Sequence, residues 1–205
     1  MGKFATPVFV LSRGLFDASI VRFQTMTSIA KARFAQLILP RMDDAFRLAR
    51  WLTGSATDAE DVVQEACLRA YRSIETFAEG NARSWFLAIV RNASYSWIEK
   101  HRPNTVVFID DLDTKSRLTV DAGTSLADIP PTPEQVLIAR SNTERLTAAV
   151  QALPITLREA IVLREYHGLS YREIAEVTGV PMGTVMSRLA TGRQHLMNWA
   201  REEGR

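Results

Sequence analysis

A single cysteine, Cys67, stands in 205 residues, so no disulfide can close within the chain. One thiol and three scattered histidines (His101, His167, His195) make no metal-ligand spacing. HExxH, GxSxG, Walker A and GxGxxG patterns are all missing, and with them the usual hydrolytic and nucleotide-binding chemistries. Neither a catalytic constellation nor a cofactor motif is present. No apolar run approaches the ~18 residues of a membrane span. The opening "MGKFATPVFVLSRGLF" lacks a long apolar core and is closed by Arg13, so it does not read as a signal peptide. These absences fit a protein of the reducing cytoplasm. A strong overall charge is lacking too: the net is +2, so contact with nucleic acid has to come from local placement of cations.

One absence is local. From Val177 to Trp199 there is no Asp or Glu, although the chain has 23 acids. A phosphate-facing surface needs such a stretch.

What is present is mostly helical punctuation and helical period. Residues 1–35 hold a basic excess and read as a poorly ordered arm, with Met26 as an alternative start. Residues 36–102 and 134–205 are two helix-rich blocks. Between them, residues 103–133 carry five Asp against Lys115 and Arg117, together with Pro103, Pro130, Pro131 and Pro133. That composition reads as a flexible linker, too long for a connection inside one compact domain. "TVVFI" (105–109) is the one strand-like run. The expectation is an all-α protein of two small helical domains, the second a helix-turn-helix.

Gly54, Gly168 and Gly179 sit where helices should stop. "TDAE" (57–60), "TLRE" (156–159) and "SYRE" (170–173) have capping-box spacing, in which a hydroxyl and a carboxylate satisfy free backbone N–H groups. In the helix after Thr57, Val63, Cys67, Ala70, Tyr71 and Ile74 form one apolar stripe. Cys67 is therefore a core residue. Asp58, Asp61, Glu65, Arg69 and Arg72 form the other face, with Glu65 and Arg69 paired at i, i+4. By itself that face is an ordinary solvated surface.

The next helix groups Trp85, Ile89, Ala93 and Trp97, with Phe86 and Val90 beside them, and gathers Arg91, Lys100, His101 and Arg102. Most of these apolar residues belong to a core. Aromatics beside cations also suit single-stranded DNA, since rings stack on bases while cations meet phosphates. Asn81, Arg83 and Ser84 in the preceding loop are polar groups that could reach the edge of a flipped base.

In the last block, Ala175, Gly179 and Val185 have helix-turn-helix spacing: a small residue for close approach, a glycine for the turn, an apolar pin on the second helix. Ile174 and Val177 bury the first helix, and "VPMGT" makes the turn. A plain helix hairpin is the competing reading, weakened by the acid-free stretch.

"LTGSATDAEDVVQEACLRAYRSIETF" and "WFLAIVRNASYSWIEKHR" resemble region 2 of the extracytoplasmic-function (ECF) sigma factors of bacterial RNA polymerase. "ALPITLREAIVLREYHGLSYREIAEVTGVPMGTVMSRL" resembles their region 4. The resemblance implies a sigma factor that binds core polymerase, recognises −10 and −35 promoter elements and starts transcription of a signal-responsive regulon. It implies docking of Asp58, Asp61, Gln64, Glu65 and Arg69 on the β′ clamp helices. It places Asn81, Arg83, Ser84, Trp85, Arg91, Asn92, Lys100 and Arg102 at the −10 element. Tyr171, Thr184, Met186, Ser187, Arg188, Thr191 and Arg193 would face the −35 element, with region 4 also touching the β flap. An anti-sigma factor is the implied partner.

Four positions depart from the family's habit, three of them in region 4 and one in region 2. Met186 and Thr191 stand where Arg or Lys is common and Ala190 where a bulky residue is, so the −35 sequence should differ. Ser96 replaces a common Asp. The competing function is a stand-alone helix-turn-helix regulator whose first block dimerises or senses a ligand. The acidic "DAEDVVQEA" face argues against it, because a regulator has no need of it.

Overall fold

The computed structural model describes residues 28–77, 80–102 and 133–203, with side chains described for 29–77, 80–102 and 143–202. Among the described residues every regular element is helical. The first block comprises α1 (Ser28–Leu37), a short 3₁₀ turn (Leu39–Arg41), α2 (Met42–Thr53), α3 (Ala56–Ser73) and α4 (Ala82–His101). The second comprises α5 (Pro133–Ala152), α6 (Ile155–Ile161) running into a π-helical turn (Val162–Tyr166), α7 (Tyr171–Thr178) and α8 (Met182–Glu203).

Helices α2, α3 and α4 pack on one another around Leu48, Val62, Ala66, Phe86, Leu87 and Val90, all buried. The stripe expected on α3 is buried at Val63, Ala70, Tyr71 and Ile74, and Cys67 is half-buried with its thiol 3.5 Å from the Met42 sulfur. Burial pushes that thiol up to about 12, which leaves it a protonated packing group. In the second block α6 and α8 cross so closely that a Cβ on Gly192 would stand 2.9 Å from Ile161 Cγ1. Gly54 (φ 76°) and Gly179 (φ 71°) close α2 and α7 in the left-handed conformation, as their positions predict.

Several expectations need correction. The basic arm is not shapeless to residue 35: α1 buries Ala30 and Phe34, and Arg33 donates to the Phe77 carbonyl. Residues 1–27 and the strand-like "TVVFI" lie outside the described residues. Thr57 does not cap α3. Ser55, two residues earlier, has the extended backbone of a cap and accepts from the Asp58 N–H. Thr156 caps nothing either. Pro154 sets the helix start, its carbonyl takes the Leu157 and Arg158 N–H groups, and Thr156 is buried in the first turn. Only "SYRE" forms the full box, Ser170 and Glu173 satisfying each other's backbone. On α4 the stripe turned to the core is Phe86–Val90–Ser94–Ile98. Trp85, Ile89 and Trp97 are half-buried along its edge.

The two blocks do not stand apart. Helix α4 packs along α7, and α2 meets α6. Arg158 and Gln151 both donate to the Trp51 carbonyl, at 3.2 and 3.3 Å, and the Trp51 and Tyr166 rings meet at 4.9 Å. An open cleft of about 540 Å³ remains along this seam, lined by Leu52, Ile98 and Arg102 on one side and Gln151, Leu153 and Arg158 on the other.

Candidate polymerase and promoter interfaces

The acidic face of α3 is solvent-facing. Asp61, Gln64 and Glu65 are exposed and Asp58 is half-buried. The expected Glu65–Arg69 pair forms at 2.9 Å, with both side chains more than a third exposed. Asp58 is also 3.4 Å from Arg102, which donates to the Thr53 carbonyl and lies over the Trp97 ring. A charged strip held on a rigid helix and left in water is suited to docking on a cationic partner surface.

The loop into α4 is built by Asn81. Its side-chain oxygen caps the helix through the Arg83 and Ser84 N–H groups at 3.0 and 3.2 Å. Its amide nitrogen donates 2.8 Å across the seam to Glu173 on α7. Arg83 reaches back to Asp44 at 2.7 Å, and Ser84 is buried. Trp85 leans on Phe77, centroids 4.5 Å apart. Asn92 and Lys100 are exposed, and Trp97 stacks on His101 at 4.4 Å. Asn81, Asn92 and Lys100 are thus open to solvent, while Ser84 is covered.

Arg91 is the exception to that openness. Its guanidinium grips the Glu159 carboxylate with Nε–Oε1 2.6 Å and Nη2–Oε2 3.4 Å, and lies over the Tyr95 ring. Tyr95 donates to the same carboxylate at 3.3 Å, and the Glu159 side chain has no exposed surface. Burial raises the Glu159 carboxyl from its ordinary value, while Arg91, Arg188 and Tyr95 pull it back. Arg91 is charged at any physiological pH, so the carboxylate form is the one that fits. Also between the two blocks, Nδ1 of the buried His167 lies 3.6 Å from Asp44.

The helix-turn-helix is α7 and α8. Ile174, Val177 and Val185 are buried and Gly179 makes the turn, as the spacing predicts. On α8, Met186 is exposed, while Thr184, Ser187, Arg188 and Thr191 are half-buried. Ser187 donates to the Thr184 carbonyl. Neither strong cation is idle. Arg193 pairs with Glu165 at 2.7 Å, and the charge of Arg188 acts on Tyr95 and Glu159. Tyr171 is half-buried beneath the Arg164 guanidinium.

Comparison with known proteins is decisive on the family. The sigma-70 region 2 family model matches residues 37–103 and the sigma-70 region 4 model matches residues 143–196. The ECF sigma-E factor of Haemophilus influenzae is 37% identical over 149 residues, covering 70% of this chain and 75% of that protein. The chain belongs to the ECF sigma factors. SigE of Mycolicibacterium smegmatis is 34% identical over 189 residues, 90% of this chain and 66% of that protein. Among solved structures, the sigma factor RpoE in complex with the anti-sigma factor NepR from Bartonella quintana is similar. It has a TM-score of 0.59 and 25% identity, over 82% of this chain and 96% of that one. The two blocks of this sigma factor can therefore be called region 2 and region 4. Two residues of the site carry no local sequence signal of their role there, Glu159 and Tyr95. The spacing of Glu159 from Thr156 predicts a cap, whereas in the fold its carboxylate meets Arg91 and Tyr95. Pro154 was the available signal for Glu159, since a proline-started helix needs no Thr156 cap.

Proposed function

We propose that this sigma factor binds core RNA polymerase through the exposed α3 face, Asp58, Asp61, Gln64, Glu65 and Arg69 meeting the β′ clamp helices. Region 2 holds the melted −10 strand with Asn81, Arg83, Ser84, Trp85, Arg91, Asn92, Lys100 and Arg102. Region 4 enters the major groove at the −35 element with Tyr171, Thr184, Met186, Ser187, Arg188, Thr191 and Arg193, and touches the β flap. The observation that carries the reading is one chain holding both a solvent-facing acidic strip on α3 and a helix-turn-helix with no acid from Val177 to Trp199. A stand-alone regulator would need only the second. No bond chemistry is involved. Unstacking a base costs a few kcal/mol, offset by trapping it in a pocket. The protein works in the cytoplasm, where core polymerase is. An anti-sigma factor is its natural restraint, as one is for the similar structure with NepR.

The test is run-off transcription with core polymerase on a promoter library, which reads both elements at once. The double reversal Asp61→Lys, Glu65→Lys should abolish holoenzyme formation. Unchanged assembly with that variant would sink the docking assignment.

A further inference from the structure

Helix α8 keeps its polar reach for its own region and leaves an apolar line outside. Arg193 pairs with Glu165 at 2.7 Å, and the charge of the half-buried Arg188 acts on Glu159, so both cations face carboxylates of region 4 itself. The Ser187 hydroxyl donates to the Thr184 carbonyl. Val185 and Leu189 are buried. Met182, Met186 and Ala190, at i, i+4 and i+8, share the outer face and are all exposed. Gly183 beside them is exposed too, and a Cβ there would meet nothing within 4 Å. Packing within the chain thus gives no reason for bare backbone at that point, whereas close approach of a ligand does.

Exposed apolar groups in a row mark a binding surface. This row opens the second helix of the helix-turn-helix, the end whose side chains meet base edges in the major groove. It also lies within the acid-free stretch from Val177 to Trp199, which phosphates on either side of a groove can flank without repulsion. The apolar group that a major groove offers is the C5 methyl of thymine. Guanine offers two acceptors instead, and the outer line of α8 has no donor for them.

We propose that Met182 and Met186 read the −35 element through thymine methyl groups, with Gly183 allowing the helix to sit close to the base edges. Four residues of helix rise about 6 Å, and base pairs stack about 3.4 Å apart. The two thymine-bearing pairs therefore lie about two steps apart. This inference rests on the −35 reading of α8.

The test uses holoenzyme on duplex promoters carrying the −35 element selected in the run-off library. Each thymine of that element is replaced in turn by uracil, which lacks only the C5 methyl and keeps the hydrogen-bonding edge. Binding is measured by competition against the unmodified promoter. Wild type should bind about 4-fold more weakly at two of the replaced positions, the factor that corresponds to ~0.8 kcal/mol for one buried methylene-sized group. Met186→Ala should abolish the thymine-to-uracil ratio at one of these positions and Met182→Ala at the other. The ratio is read within each protein, so a general loss of folding or of core binding cancels. A selected element with guanine and no thymine overturns the proposal, as does uracil bound as tightly as thymine at every position. Weaker binding by Met186→Ala with the ratio retained would assign the apolar line to a protein surface and overturn it too. Failure of the underlying reading looks different: holoenzyme indifferent to every −35 base pair would sink the −35 assignment, whereas discrimination among bases without a methyl effect sinks this inference alone.

Discussion

The acidic face of α3 and the cationic edges of α4 and α8 lie on one small molecule yet differ in what surrounds them. On α3, Asp61 and Gln64 face water, and Glu65 meets only its own helix neighbour Arg69. On α4, Arg91 is 17% exposed and its partner Glu159 wholly covered. On α8, Arg193 is neutralised by Glu165. Exposed charges keep their hydration and are free to meet a partner at little cost. Buried ones have already lost water and depend on the partner they have. The contrast therefore predicts where mutation is felt: strongly at the seam, weakly on the acidic face unless polymerase is present.

The seam should break hardest at Arg91. Arg91→Ala leaves the Glu159 carboxylate covered and without its cation, which costs about 3–5 kcal/mol in buried pairs. Urea denaturation should show that loss, or the chain should part at the seam so that Glu159 regains water. A variant as stable and compact as wild type would mean that the pair is solvated in solution. Next in size is a gain on α8. Met186 is exposed where a guanidinium could reach a base edge, and an arginine–guanine contact contributes about 1–3 kcal/mol. Met186→Arg should raise affinity for −35 elements carrying guanine at the facing position, measured by holoenzyme binding across the promoter library. A uniform gain across all −35 sequences would instead mark a phosphate contact.

Much of each region was legible in the sequence because its signals are local. The α3 stripe, the Ser170 box and the glycines after α2 and α7 all act within a few residues of themselves. The joining of the regions was not legible. Arg91 and Glu159 are 68 residues apart, and Asn81 and Glu173 are 92 apart, so no periodicity links them. Glu159 also sits three residues after a threonine, and the capping pattern hid its real direction. Only the fold turns it toward Arg91.

Smaller again is the effect of pH at the seam. His167 is buried against Asp44, with Arg83 and Arg47 nearby. Burial lowers its pKa below the ordinary 6.5, Asp44 opposing and the two arginines adding to the fall. The joined form thus holds a neutral ring, whereas a separated or unfolded chain takes up a proton as pH drops past about 6.5. Stability from this site is complete above that pH and is lost below it. A melting series from pH 7.5 to 5.5 should lose stability progressively in wild type as the pH falls past about 6.5. His167→Gln should flatten this part of the profile.

The smallest effect tests the acidic face itself. Arg69 and Glu65 pair at 2.9 Å with 40% and 47% of their side chains exposed, and solvent screens them. Such i, i+4 pairs contribute about 0.3–0.5 kcal/mol. Arg69→Ala should leave thermal unfolding within that margin. Truncation also removes the cation nearest Glu65 and leaves the strip more negative. Arg69 belongs to the docking set proposed above, so core affinity should fall modestly in Arg69→Ala, measured by competition for core polymerase at low salt. Affinity that holds or rises with unchanged stability would remove Arg69 from the contacts and leave a docking face that works through its acids alone.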